Sequence, residues 1–350
     1  MSWKKNSWRS YTKKHIPDYS NIKELNRVEN VLKQSSSLVY ADEIRSLYSN
    51  LADISKGNGF LLHGGDCAES FSEFNADNIE STFKVTLQMA IILTAGINVP
   101  ITKIGRIAGQ FAKPRTNPNE TVDGLELPSY RGDIINDIAF DGKLRQPDPN
   151  RMLKAYSQSA STIALLKSFS DRGYADLKHL QSWNMEFVKN HKQEKRYQHL
   201  SKQIQDSLKF METLLISNDA PHLKKVKYFI SHEALLLPYE EALTRIDSES
   251  GKTYNTAAHF VWIGDRTRFL DSAHIEYCRG INNPIGIKCG PSLQPEELIK
   301  LLDILNPNDI PGRITLITRF GNDNIDTYLP PLIRKIKEEG RTVIWSCDPM

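Results

Sequence analysis

Seven short apolar runs constrain this chain more than any other feature. They read GFLLHG, PITKIGRIAG, VKYFIS, HFVWIG, PIGIKCG, RITLITRFG and RTVIWSCD. Continuous apolarity without alternation marks strands covered on both faces, the usual state of a parallel sheet. Each run is followed by a glycine, a charge or a turn signal, and helices lie between the later ones. Pro295, with Glu296 and Glu297 behind it, opens one helix with the chemistry suited to an N-terminus. Residues 330–339 predict another, stopped by Gly340. Asp265, Lys288, Arg319 and Cys347 fall near successive strand ends, at intervals of 23, 31 and 28 positions. A (β/α)₈ barrel of about 250 residues averages roughly 30 per unit. The expected class is α/β with a parallel sheet, open or closed.

Two parts break that rhythm. Residues 1–56 form an N-terminal extension, mostly helical after Ile22, and residues 57–350 carry the barrel. An insertion at about 114–226 separates the second strand, ending near Arg106, from the third, starting near Lys227. Within it 114–149, rich in Pro, Asn, Asp and Gly, reads as a long loop, and loops of that length are uncommon unless functional. Met152, Tyr156, Ile163 and Leu166 make one helical stripe, and Leu200, Ile204, Leu208, Met211 and Leu215 a second, together a helical pair. After the first strand, Asp77 with Glu80 resembles a capping box. Phe83, Val85, Leu87, Met89, Ile91, Ile92 and Leu93 then predict a helix apolar nearly all round and buried.

Composition narrows the function. A formal net charge of +3 on 350 residues is too small to argue for nucleic acid or a membrane surface, so neither is an expected partner. No apolar run is long enough to span a bilayer. The first sixteen residues are basic and free of acid, but Trp3, Trp8 and Tyr11 read as anchors of an arm packed on the domain. Cys67, Cys278, Cys289 and Cys347 show no CxxC spacing and no disulfide framework, which sets a reducing, cytoplasmic compartment as the expectation.

In a barrel the polar residues at C-terminal strand ends face the active site. Here those ends supply Asp66-Cys67-Ala68-Glu69, then Arg106 with Lys113 and Arg115 just beyond, then Ser231-His232-Glu233. Asp265-Arg266-Thr267-Arg268, Lys288, Arg319 and Cys347-Asp348 follow. So many cations at one mouth are costly unless anions bind there. Arg suits phosphate and carboxylate with paired donors, and Lys supplies a point charge. The implied ligand is a small polyanion with more than one phosphate or carboxylate. Taken singly, an Arg after a strand is more often a surface ion-pairing residue. Arg106, Lys288 and Arg319 resist that reading because their sequence neighbours look buried. Cys67 alone suits a buried thiol, whereas beside Asp66 and Glu69 a metal ligand is equally well supported. His63, His232 and His274 are ligands by type, with His63 placed on the face opposite Cys67 and ranked as a core residue.

The motifs GGDCAESF, RIAGQFAKPRT, SHEALLLPYE, HFVWIGDRTR, NPIGIKCGPS, ITRFGN and VIWSCDPM occur in one order along the chain. In that order and spacing they resemble the class II 3-deoxy-D-arabino-heptulosonate 7-phosphate (DAHP) synthases, from about Trp8 to Met350. The resemblance implies a (β/α)₈ TIM barrel with an N-terminal extension and an extra helical pair. It implies the condensation of phosphoenolpyruvate with erythrose 4-phosphate, the first step of the shikimate pathway, and a homo-oligomer, dimer or tetramer. It also implies a divalent metal, manganese or otherwise cobalt, with Cys67 as its thiolate ligand. Arg106, Arg266, Lys288 and Arg319 would hold the phosphate and carboxylate of phosphoenolpyruvate. Glu233 and Asp265 would complete that pocket and order a water, and Lys113 and Arg115 would face erythrose 4-phosphate, Lys113 also moving a proton.

Two departures from the family pattern stand out. Position 265 is Asp where the family usually carries Glu, which retracts the carboxylate by one methylene. The chain ends at CDPM, just before the family's histidine ligand, with a glutamate and an aspartate ligand further on. The expectation is a truncated chain that lacks the eighth strand and helix and has little or no activity. Two alternatives are an aldolase-type barrel using Lys288 as a Schiff base, and a non-catalytic regulatory or assembly partner derived from the same barrel.

Overall fold

The structure is a computed structural model and describes residues 2–188, 202 and 226–349. An arm containing a 3₁₀ turn at Ser7–Ser10 leads into α1 (Ile22–Gln34) and α2 (Ala41–Ser55). Then come β1 (Phe60–Gly65), α3 (Ala76–Ile97), β2 (Ile101–Arg106), β3 (Asn119–Val122), β4 (Leu125–Pro128) and α4 (Arg151–Val188). They are followed by β5 (Phe229–Glu233), α5 (Leu237–Ala242), β6 (Thr244–Ile246), β7 (Thr253–Asn255) and β8 (Phe260–Ile263). The chain closes with α6 (Ala273–Gly280), β9 (Ile285–Cys289), α7 (Pro295–Leu305), β10 (Ile314–Thr318), α8 (Ile325–Glu338) and β11 (Ile344–Cys347).

The seven apolar runs become one parallel sheet in the order β1-β2-β5-β8-β9-β10-β11. It curls into a nearly closed, barrel-like shape. His63 on β1 meets Phe260 and Trp262 of β8 edge-on across the interior, at 5.3 and 5.7 Å. Residues from β1 and from the end of β11 line the same cavity. Phe260, Trp262, Ile104, Ile317 and Ile344 fill the inside with Leu47 and Leu51 of α2. A larger cluster between sheet and helices joins Val261, Ile287 and Leu316 to Leu298, Leu301 and Leu332.

The arm is fixed by its tryptophans, as expected. The Trp8 indole is buried and donates to Glu241 at 2.9 Å, and Trp3 donates to the Glu276 carbonyl at 3.0 Å. Tyr11 is instead exposed. Several other expectations change. The loop at 114–149 contains a hairpin, β3 paired antiparallel with β4. Asp123-Gly124 turns it, with φ of 50° and 80°, a strong hairpin signal in the sequence that the surrounding Pro and Asn obscure. The cap of α3 is Asn75, which accepts the Asn78 amide, rather than Asp77. That helix is not fully buried, since Val85, Met89 and Ile97 are exposed. It packs on α4, β2 and β1, and these three residues stay outside that contact. The helix at 330–339 starts earlier, at Ile325, with Pro330 and Pro331 inside it. Of the helical pair, the first stripe lies on α4, and Leu200, Ile204, Leu208, Met211 and Leu215 lie outside the described residues.

Candidate active site

Parallel register brings the strand exits to one end. Gly65 pairs with Arg106, Arg106 with Ser231, Glu233 with Trp262, and Thr318 with Cys347. A cavity of about 190 Å³ opens there, lined by His63, Cys67, Arg106, Trp262, Lys288 and Asp348 among others. A larger cavity, about 420 Å³, lies away from the strand ends between α2, α4 and β5, where Glu43, Lys167 and His259 pair with one another. The strand-end cavity is the one that gathers Cys67, Arg106 and Lys288.

Arg106 enters it with its guanidinium 5.0 Å from the Trp262 ring centroid, and its Nε is buried without a hydrogen-bond partner. Lys288 pairs with Asp348. Burial lowers the Lys288 pKa, Asp348 raises it, and the neighbouring Arg106 and Arg319 lower it further. Arg319 is exposed at the rim. Glu233 is the focus of the charges. Burial raises its carboxyl to about 7, although Lys288, Arg106, Arg266 and His232 all pull the other way. Its Oε1 is buried with no partner. That oxygen sits against Gly264, where a Cβ would come within 2.1 Å of it, so the β8 exit must be glycine to admit the carboxyl.

A second group adjoins the first. Lys113 and Arg115 are half-buried on the loop after β2. The Lys113 amide donates to the Arg131 carbonyl at 2.8 Å, and Arg115 Nε donates to the Tyr130 carbonyl at 2.6 Å. Arg266 crosses to the same loop, donating to the Pro114 carbonyl at 3.2 Å and to Thr116 Oγ1 at 2.9 Å. Of the predicted cations, then, Arg106 and Lys288 line the cavity, Arg266 faces both Glu233 and the loop, and Lys113 and Arg115 stand beside it.

Other candidates take different roles. Asp265 accepts from Arg268 at 3.0 Å and from the Gly290 amide at 3.1 Å, so it ties the β8 and β9 exits together. Arg268 is not a mouth cation: it is buried and bound to Asp265, Glu297 and Ser292. Glu69 is no metal donor, because its carboxylate accepts the amides of Ala108, Gly109 and Gln110. The histidines do not converge either. His63 contacts Ser231 Oγ at 2.8 Å, His232 contacts Glu240 at 2.9 Å, and His274 contacts the Leu235 carbonyl at 3.0 Å. Burial, then Arg106 and Lys288, lower His63 to about 3, so it is a neutral core residue. The strand ends at Gly65, so its alternation does not reach Cys67, and both residues line the same cavity.

Cys67 is exposed. Among the described residues no group of three His, Cys, Asp or Glu side chains is arranged to hold a metal ion. The donors present therefore do not fit a divalent metal centre. Sequence reasoning missed Trp262 under Arg106 and Gln110, whose Oε1 accepts the Glu233 amide at 2.7 Å, and it placed Asp348 at a strand end without its pairing to Lys288. Trp262 and Gln110 lie inside quoted motifs, but only the fold shows what they touch.

Residues 3–350 match the class-II DAHP synthetase family. A phospho-2-dehydro-3-deoxyheptonate aldolase of Streptomyces coelicolor is 46% identical over 345 residues, covering 99% of this chain and 76% of that protein. The enzyme of the same name from Neurospora crassa is 44% identical over 364 residues, covering 99% of this chain and 75% of its own length. One from Mycolicibacterium smegmatis is 41% identical over 325 residues, covering 91% of this chain and 69% of its own. The family match runs to the last residue and does not support the expected truncation.

Proposed function

The chain belongs to the class-II DAHP synthetase family, and we propose from that premise how its strand ends divide the work of the reaction. The activity is the condensation of phosphoenolpyruvate with erythrose 4-phosphate to DAHP and phosphate, in aromatic biosynthesis. The alternative of a non-catalytic partner is not favoured. Members of the family depend on a metal in general; manganese, with Cys67 as a ligand, is the finer expectation, and the described residues offer no donor group to develop it.

The observation that carries the assignment is the buried, unpartnered Oε1 of the half-buried Glu233, under the influence of Lys288, Arg106 and Arg266. A carboxyl near neutrality among cations suits a group that must accept a proton beside a bound anion. Arg106, Lys288 and Arg319 hold the phosphate and carboxylate of phosphoenolpyruvate, Trp262 lying under the Arg106 guanidinium. Arg266 completes the phosphoenolpyruvate pocket and ties it to the loop at Pro114 and Thr116, while Lys113 and Arg115 hold erythrose 4-phosphate. The methylene carbon of phosphoenolpyruvate bonds to the aldehyde carbon, and the aldehyde oxygen takes a proton from Lys113. Water adds to the carbon bearing the phosphate ester and yields its proton to Glu233. Breaking the bond from that carbon to the ester oxygen releases phosphate onto Arg and Lys, and the new hydroxyl gives its proton to the departing phosphate and becomes the ketone. Asp265 supports this by fixing the β8 and β9 exits.

Trp262 makes the assignment measurable. Phosphoenolpyruvate should change the intrinsic fluorescence, and Arg106→Met or Lys288→Met should each weaken that titration ~10-fold or more. Lys113→Met should leave it intact and raise the KM for erythrose 4-phosphate. Unchanged phosphoenolpyruvate binding in both of the first variants would refute the assignment. Borohydride trapping of substrate on Lys288 would instead favour an imine mechanism.

A further inference from the structure

Glu69 has no part in the chemistry above, yet its carboxylate is fully engaged. Its Oε1 accepts the Ala108 amide at 2.9 Å, and its Oε2 accepts those of Gly109 and Gln110 at 2.8 and 2.7 Å. Its own amide donates to the Gln110 carbonyl at 2.7 Å. Successive amides aimed at one anion form a nest. This one requires Ala108 to adopt a φ of 65°, the left-handed region that a non-glycine residue rarely occupies. Such a conformation persists only where its surroundings enforce it. Beyond the nest, the Gln110 side chain accepts the Glu233 amide at 2.7 Å and donates to the Ala112 carbonyl at 3.1 Å. Lys113 is the next residue, and Arg115 follows two positions later. One carboxylate thus links the exit of β1, the exit of β5 that carries Glu233, and the loop that carries both cations.

We propose that Glu69 is a positioning residue for the second substrate: its carboxylate, acting through the amides of 108–110, sets where Lys113 and Arg115 meet erythrose 4-phosphate. This rests on the assignment of Lys113 and Arg115 to that substrate. The charge matters as well as the shape. Glu69→Gln keeps the volume but replaces one acceptor oxygen with an amide donor, which must then face a backbone donor. The loop can keep its place only by leaving an amide unpaired.

The test is steady-state kinetics of the enzyme and its variants, with phosphoenolpyruvate binding followed by tryptophan fluorescence and folding followed by Tm. In folded Glu69→Gln the KM for erythrose 4-phosphate should rise ~10-fold or more, while phosphoenolpyruvate binding stays within about 3-fold. A purely structural role would lower Tm and the active fraction without moving that KM, and this result overturns the proposal. Equal losses for both substrates also overturn it. If Glu69→Gln does not fold, Ala108→Gly decides, because it relaxes the enforced turn at the cost of a single buried methyl group. A rise of about 3-fold or more in the same KM supports the proposal, and no change overturns it. Lys113→Met and Arg115→Met in parallel separate the two levels. If neither alters the KM for erythrose 4-phosphate, the site assignment itself falls, and the role of Glu69 with it.

Discussion

Glu233→Gln gives the sharpest test of the charge arrangement. Burial holds this carboxyl at about 7 against an ordinary 4.5, even with Lys288, Arg106 and Arg266 pulling it down. In the unfolded chain it ionises near 4.5, so the native state resists losing the proton. The stability it contributes is fully present below about 4.5 and is lost as pH rises through about 7. The difference between those values, at about 1.4 kcal/mol per pH unit, is worth about 3 kcal/mol by pH 8. Glutamine matches the protonated form in shape and cannot ionise. Urea unfolding at pH 5 and pH 8 should therefore show the parent losing about 2.5 kcal/mol relative to Glu233→Gln over that interval. The variant should also lose ~100-fold in kcat, together with the pH limb near 7. Parallel stability curves for parent and variant would refute the buried, proton-holding carboxyl and the role built on it.

Three further outcomes follow from single contacts. Gly264→Ala should reduce kcat ~100-fold by pushing the Glu233 carboxyl aside, since the new Cβ would lie 2.1 Å from Oε1; unchanged kcat would show that the carboxyl moves freely. Gly132→Ala should cost ~2–4 kcal/mol in a denaturant melt, because that residue has φ of 102° and a Cβ there would meet the Phe111 carbonyl at 2.1 Å; a cost near zero would contradict the turn. His63 stays neutral down to about 3, so its stability contribution is present above 6.5 and falls as pH drops below that. Relative to His63→Gln, the parent should lose about 2 kcal/mol between pH 7.5 and 5 in urea melts, and equal losses would show a solvated ring.

The strands were the most legible part of the fold because burial on both faces leaves an unbroken apolar signature. Capping and turn chemistry were less legible. Asn75, Asp77 and Asn78 are all plausible caps by type, and only the backbone path chooses Asn75. Apolarity did not decide burial either. Val85 and Met89 resemble core residues, but α3 packs on α4, β2 and β1 through its other positions and leaves both exposed.

The same division runs through the site. By itself the sequence determined the class of chain, the order of strands and the concentration of Lys and Arg at their ends. These follow from local composition and motif order, which survive without coordinates. Tertiary structure alone decided which charges act on one another. It turned Arg268 onto Asp265 and Glu297, engaged Glu69 with three amides, and left Glu233 with one buried, unpartnered oxygen. The physical reason is that electrostatic roles depend on distance and desolvation between residues far apart in the chain. Parallel register fixes those distances, and a residue's type does not.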